Sequence, residues 1–267
     1  LAVGSDIARS RGQYWRRKAA QAIVSGLRLN RCGPLATEIV QAIDPVISIE
    51  TARGPLLCRG GHGRLAWRAA TFHTEEPDTI RWLAGIGKSD VYWDIGANVG
   101  LYAIYVAKFS AARVLAFEPE AQNYALLIEN MVLNDVQLTT SMLAISNRAG
   151  FGDLQVPYLT KGGAYNQFNG PATGHRQRIF GTSVDDLVFN YGWPSPTHLK
   201  IDVDGNELEI IAGCKETLKL PDVRSVLIEI NGESCIRPML IALGFKVISD
   251  VPVARPDVKA SNVVFAR

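Results

Sequence analysis

Apolar positions fall into two rhythms over most of the chain. Short runs such as Val91-Tyr92-Trp93, Val114-Leu115-Ala116-Phe117, His198-Leu199-Lys200-Ile201 and Val226-Leu227-Ile228-Glu229-Ile230 have the length and the β-branched or aromatic content of buried strands. Between them, apolar residues recur three and four apart. That spacing predicts helices from about Val99 to Phe109, from about Gln122 to Leu133 with Tyr124, Leu127, Ile128 and Met131 on one face, and through Leu208, Ile211, Cys214 and Leu218. A third strand is expected over Leu138 to Ile145. A helix near Pro238 to Leu243 precedes two terminal strands, Phe245 to Ile248 and Asn262 to Phe265. Strands separated by helices need crossovers, so the pattern predicts a parallel sheet.

The alternation pauses between Gly150 and Gly181, where Leu154-Gln155-Val156 and Tyr158-Leu159 are strand-like and Lys161 to Asn166 read as a loop. Before Val91 the pattern is harder to organise. It contains a basic helix around Tyr14 to Leu29, β-like pieces near Val46 to Glu50 and Leu56 to Cys58, and a turn at Gly60-Gly61-His62-Gly63. Thr74-Glu75-Glu76-Pro77-Asp78 then places acids and an early proline ahead of Ile80, Trp82 and Leu83, a helix start whose end is expected near Gly85 or Gly87. The expected organisation is an N-terminal helical and β extension over residues 1–73, placed over the substrate side, and an α/β domain over residues 74–267.

Composition narrows the class. With 267 residues, 47% hydrophobic and 20% charged, the chain suits a globular α/β domain with an appended segment. No apolar run is long enough to span a bilayer. A net charge of +2 and the absence of a basic stripe argue against a nucleic-acid partner. Four scattered cysteines, Cys32, Cys58, Cys214 and Cys235, form no zinc-type pair and no C-x-x-C, which favours a reduced, cytoplasmic chain. The sequence begins at Leu1, so an original leader is left open.

In an open parallel sheet, ligands bind beyond the carboxyl ends of the strands. Here those ends carry Asp94, Glu118, Ala144, Asp202 and Glu229. Asp94-Ile95-Gly96-Ala97-Asn98-Val99-Gly100 follows the first strand, and its glycines let the backbone turn sharply and approach a ligand without a Cβ in the way. Glu118 lies 22 residues beyond Gly96 and ends the second strand, where a carboxylate can accept hydrogen bonds from the two ribose hydroxyls of an adenosine ligand. The turn lacks the G-x-G-x-x-G spacing of a dinucleotide site. Adenosylmethionine is therefore favoured over NAD, with an NAD-dependent or nucleotide-binding enzyme as the alternative.

Three segments in order, Asp94 to Gly100, Ala116-Phe117-Glu118-Pro119 and Lys200-Ile201-Asp202-Val203-Asp204-Gly205, resemble the FkbM family of methyltransferases. The resemblance runs from about Phe72 to the end and includes Glu76-Pro77, Ala144-Ile145-Ser146, Asp185-Asp186-Leu187 and Leu243-Gly244-Phe245. It implies a class I methyltransferase fold, a Rossmann-like, mostly parallel seven-stranded sheet with helices on both faces and an antiparallel last strand. It also implies methyl transfer from S-adenosyl-L-methionine, usually to a hydroxyl oxygen of a sugar, glycan or natural product. By that resemblance Asp94, Gly96, Ala97, Asn98 and Gly100 line the methionine end of the donor, Glu118 and Pro119 the ribose, and Met142, Leu143 and Ala144 the adenine. Asp204 stands where the family usually has glutamate, and Met142 where a polar residue is frequent.

Moving a methyl to an alcohol releases a proton, and a positioned carboxylate or histidine can take it. Asp202, at the end of the fourth strand, is the expected base. His198 and His175 are weaker candidates. Asp204 and Glu207 spell a capping-box pattern as well as candidate site residues, and Asp202, Asp204 and Glu229 together could hold a divalent cation, although nothing in their spacing requires it. Lys200 shares a strand face with Asp202 and could pair with that carboxylate, but it sits deeper in the strand and is assigned no site role. Tyr165, Asn166 and Gln167 are candidates for acceptor contacts. A module that keeps the fold without catalysis is the remaining alternative.

Overall fold

The computed structural model describes residues 18–19, 21–23, 25–26, 45–61, 63–232, 235–253 and 260–267. The helix expected around Tyr14 to Leu29, Cys32 and His62 lie wholly or largely outside them. Residues 46–267 form one compact unit.

Its centre is a seven-stranded sheet built from β3 (Val91–Ile95), β4 (Arg113–Phe117), β5 (Thr139–Ser141), β10 (His198–Ile201), β11 (Ser225–Asn231), β12 (Lys246–Pro252) and β13 (Ala260–Ala266), in the order β12-β13-β11-β10-β3-β4-β5. Neighbours from β11 to β5 run parallel, while β13 is antiparallel to both β11 and β12. The chain reverses its direction of travel across the sheet between β3 and β10, which opens a crevice beyond their carboxyl ends.

Side-chain alternation divides the core between the two faces. Trp93, Ile95, Leu115, Phe117, Leu199 and Ile201 pack on one face with Ile210 and Ile211 of α5 (Glu207–Ala212) and Ile236 and Leu240 of α6 (Ile236–Ala242). Tyr92, Val114 and Ala116 face the other way. They meet α1 (Gly63–Thr71), α2 (Pro77–Ala84), α3 (Leu101–Ser110), α4 (Ala121–Leu133) and the hairpin of β1 (Val46–Thr51) with β2 (Gly54–Arg59). Both faces are apolar, which is why these strands read as continuous apolar runs. No helix among the described residues is long and apolar enough to cross a membrane.

Four expectations are corrected. The single third strand over Leu138 to Ile145 is two strands in two sheets. β5 edges the main sheet, whereas β6 (Ala144–Ile145) joins β7 (Gly150–Val156), β8 (Gln167–Phe168) and β9 (His175–Thr182) in the order β6-β9-β7-β8. Along α4, Leu127, Ile128 and Met131 pack on the core as expected, but Asn123, Leu126 and Asn130 are buried beside them and widen that face. Two asparagines can lie there because each bonds main chain: Asn130 takes the Arg59 N–H at 2.8 Å and donates to the Val99 carbonyl at 2.9 Å, and Asn123 takes the Gly162 N–H at 2.9 Å. Of the stripe expected through Leu208, Ile211, Cys214 and Leu218, the last three are buried and Ile210 takes the place of exposed Leu208, while α5 ends at Ala212 and Cys214 and Leu218 lie in the turns that follow. Finally, Asp204 and Glu207 do not form a capping box. The residue ahead of α5 is Asn206, and the side chains of Asp204 and Asn206 bind the β7–β8 loop and β8 instead. α1 and the π-helical turn Asp186–Asn190 had no expected counterpart.

Candidate active site

β3 runs into a turn whose first two amides, Gly96 and Ala97, both donate to the Phe117 carbonyl at 3.0 Å. This ties the ends of β3 and β4 together. Gly96 has φ +83°, and a Cβ there would lie 2.0 Å from the Asp202 carbonyl oxygen. Gly100 also has φ +83°, and its Cβ would lie 2.9 Å from Leu127 Cγ. The glycines were expected to clear space for a ligand. They clear it for the backbone after β10 and for α4, and so draw the Asp202 segment against the turn.

Asn98 sits between them at φ +51°, a conformation asparagine tolerates better than most residues. Its Oδ1 accepts the Val99 N–H at 3.0 Å and its Nδ2 donates to the Gly163 carbonyl at 2.7 Å. Gly163 belongs to the β7–β8 loop, which Asn123 and Asp204 also hold, through the Gly162 and Tyr165 amides. The loop is thus pinned across the strand ends.

A buried ionic cluster lies below it. Lys200 and Asp94 are register partners on β10 and β3, so their side chains leave the same face of the sheet. Lys200 Nζ is 2.8 Å from Asp202 Oδ2, 3.6 Å from Asp94 Oδ1 and 5.1 Å from the centre of the Tyr102 ring. Burial alone would lower the lysine's pKa, but the charges of Asp202, Asp94 and Glu76 outweigh it and hold the ammonium protonated. Both oxygens of Asp94 are buried without a hydrogen-bond partner of normal length, and burial pushes its pKa up, as does the nearby charge of Asp202. Glu76, just before α2, accepts from Thr79 at 3.1 Å and from the Tyr102 hydroxyl at 3.2 Å. Burial raises its pKa too.

Glu118 follows β4 and is 5% exposed. Its oxygens accept the Asn98 N–H at 2.8 Å and the Glu120 N–H at 2.9 Å, yet burial pushes its pKa up to about 7. It lines the cleft together with Gly96, Asn98, Pro119, Gly163 and Asp202. Further along, Pro119, Leu143 and Ala144 border an apolar recess with Phe117, Val203 and Phe168. Toward α1 the cleft widens between Arg64, Trp67, Arg68, Tyr102, Tyr165 and Asp202, where it opens to solvent.

Of the residues singled out from sequence, Gly96, Ala97, Asn98, Glu118, Pro119, Leu143, Ala144 and Asp202 therefore converge on one crevice, and Asp94 lies beneath it, fully buried beside Lys200. Met142 does not join them, being 44% exposed and absent from the lining. Gly100 shapes the turn from behind. His198 lies at the opposite end of β10, bonded to Ser225 at 2.6 Å and facing Asp90 at 3.3 Å, which removes it as a base. His175 is exposed at the start of β9 and lies outside the lining. Glu229 is buried on β11 opposite Asn262. Among the described residues no group of three or more His, Cys, Asp or Glu is arranged to hold a metal ion. The pairing of Lys200 with Asp202 that strand alternation allows is present, although no site role was assigned to the lysine. Sequence reasoning missed Tyr102, the α1 side chains and a site position for Glu76.

Strand order, the antiparallel β13 and a glycine-rich turn paired with an acid at the next strand end define a class I methyltransferase. The Methyltransferase FkbM domain model matches residues 94–237, and the chain belongs to this family of S-adenosylmethionine-dependent methyltransferases. Hexuronic acid methyltransferase AglP of Haloferax volcanii is 29% identical over 166 residues, which cover 62% of this chain and 66% of that protein, just under two thirds of its length. Methyltransferase sdnD of Sordaria araneosa is 28% identical, with 66% of this chain and 81% of that protein covered. The 31-O-demethyl-FK506 methyltransferase FkbM of Streptomyces tacrolimicus is 24% identical, with coverages of 60% and 74%.

Proposed function

We propose that the protein transfers the methyl group of S-adenosylmethionine to a hydroxyl oxygen of a sugar, glycan or natural product, with Asp202 as the base. The observation that carries this reading is the order of chemistries along the crevice. Three carboxylates around one lysine, Asp94, Asp202 and Glu76, leave surplus negative charge suited to a cationic amino acid end. Glu118 follows, suited to a vicinal diol, and then the apolar recess at Leu143 and Ala144, suited to a flat heterocycle. Asp94, Gly96, Ala97 and Asn98 would hold the methionine end, Glu118 and Pro119 the ribose, and Leu143 and Ala144 the adenine. The relatives' names add support for a hydroxyl-bearing acceptor, one referring to a hexuronic acid and one to a 31-O-demethyl substrate.

When bound, S-adenosylmethionine supplies a methyl group on a positively charged sulfur. On transfer of that methyl to the acceptor oxygen, with the electron pair left on sulfur, Asp202 would take the hydroxyl proton. Lys200 holds one oxygen of Asp202 and fixes the carboxylate's orientation. The β7–β8 loop, tied down by Asn98 and Asn123, borders the crevice beside Glu118 and Asp202. A carboxylate in this role contributes about 10²- to 10⁴-fold.

The test has two parts. S-adenosylhomocysteine should raise the unfolding temperature while NAD does not; the reverse would overturn the donor assignment. Labelled methyl should pass from S-adenosylmethionine into a hydroxyl-rich acceptor pool with the wild-type chain and not with Asp202→Asn. Transfer undiminished in that variant would remove Asp202 as the base.

A further inference from the structure

α1 has two working faces. Leu65, Ala69 and then Phe72 enter the core, while Arg64, Trp67, Arg68 and Thr71, at the same helical spacing, line the outer cleft. The two guanidinium groups on that second face have no carboxylate partner among the described residues. Arg64 lies 5.6 Å over the Trp67 ring, and Arg68 donates its Nε to the Gly162 carbonyl at 3.0 Å. Four acids share this cleft without an ion pair to either arginine: Glu76 and Asp202 surround Lys200, Glu75 accepts from Thr71 at 3.2 Å, and Asp204 accepts the Tyr165 N–H. The cleft therefore has a positive wall on α1 facing a negative floor at Asp202.

We infer that the acceptor carries a carboxylate, bound by Arg64 and Arg68, on a hydroxyl-bearing ring laid against Trp67: a uronic acid unit. The assignment deepens the proposed O-methylation and rests on it. An arginine fork matches a carboxylate's two oxygens, and an indole face suits the apolar face of a sugar ring while its hydroxyls bond elsewhere. With the carboxylate on the α1 wall and a hydroxyl on the floor, one sugar ring spans the cleft. Neutral sugars leave two desolvated cations without a partner, which is what makes the discrimination large.

The experiment uses the full chain, labelled S-adenosylmethionine and glycosides that differ at carbon 6: methyl glucuronide, methyl glucoside and methyl glucoside 6-phosphate, with their galacto counterparts. The expected result is a kcat/KM about 100-fold or more higher on a uronide than on its neutral partner. Arg64→Gln and Arg68→Gln should each raise the acceptor KM by about ten-fold or more, with unfolding temperature and S-adenosylhomocysteine affinity unchanged. Equal or better turnover of the neutral or phosphorylated sugars overturns the inference. So does an Arg68→Gln variant that loses S-adenosylhomocysteine binding and keeps its acceptor KM, since the arginine would then belong to the donor. Bound S-adenosylhomocysteine with no transfer to any uronide overturns it while leaving the methyltransferase reading in place. Failure to bind S-adenosylhomocysteine would remove that reading instead.

Discussion

Lys200 and Asp202 stand two residues apart at the end of β10 and form an ion pair of 2.8 Å, with the lysine side chain 1% exposed and the carboxylate 32% exposed. The pair carries charge from the dry interior of the sheet to the floor of the cleft. Asp94 closes the arrangement from the neighbouring strand at 3.6 Å. Removing the lysine would leave a buried carboxylate with no cation beside it. Lys200→Met is expected to cost about 3–5 kcal/mol in urea unfolding, and Asp94→Asn in the same chain should recover much of that. A loss below about 1 kcal/mol would show that water or relaxation supports Asp94 without the lysine.

Asp202→Asn keeps the shape and removes the proposed proton acceptor. The expected result is a kcat lowered about 10²- to 10⁴-fold, with S-adenosylhomocysteine affinity by calorimetry changed less than about three-fold. A matching loss of affinity would place Asp202 in donor binding.

With Glu118 holding the ribose as proposed, donor binding should depend on pH. Its pKa in the free protein is raised to about 7, above the ordinary 4.5. A diol donates hydrogen bonds to the ionised form, so affinity for S-adenosylhomocysteine should rise with pH through about 7. At pH 6 roughly one molecule in ten has the carboxylate ionised, and binding should be about ten-fold weaker than at pH 8. Glu118→Gln should flatten that profile. For stability the sign is opposite. Because the folded pKa is the higher one, the folded chain binds more protons between about 4.5 and 7, and the contribution of Glu118 falls as pH rises through that window. Glu207, also raised to about 7, acts in the same direction.

Gly96→Ala should be far more damaging than an alanine on an exposed turn. The added Cβ meets a main-chain carbonyl at 2.0 Å, and φ +83° is costly for any side chain. A loss of about 2 kcal/mol or more is expected by denaturant unfolding, together with weakened S-adenosylhomocysteine binding, since the Asp202 segment must move. Gly192→Ala is the comparison. It also has positive φ but open space around its Cβ, so it should show the backbone cost alone, about 1 kcal/mol.

Much of this fold is legible in the chain because its strands are buried on both faces and its helices are amphipathic. Val91-Tyr92-Trp93, Val114 to Phe117 and Val226 to Ile230 announce themselves by apolar continuity, and α2, α3 and α4 begin and end within about two residues of their expected bounds. The errors have a common cause. The run from Leu138 to Ile145 is evenly strand-like, and only the pairing of Ala144 with Gly181 moves its second half to another sheet. On α4 the expected face was too narrow, because buried asparagines read as surface until their main-chain partners are seen.

The sequence by itself determined the alternation of strands and helices, the glycine-rich turn after β3 and the acids at the ends of β3, β4 and β10, because each follows from local spacing and from the rule that parallel strands present their carboxyl ends together. Tertiary structure alone decided what those residues face. Lys200 becomes the centre of the ionic cluster only when β10 lies beside β3 in the register that sets it against Asp94. Arg64, Trp67 and Arg68 become a wall of the cleft only when Leu65 and Ala69 dock α1 on the core. Charge pairing and cavity walls are relations between segments far apart in the chain, and no local pattern of polarity encodes them.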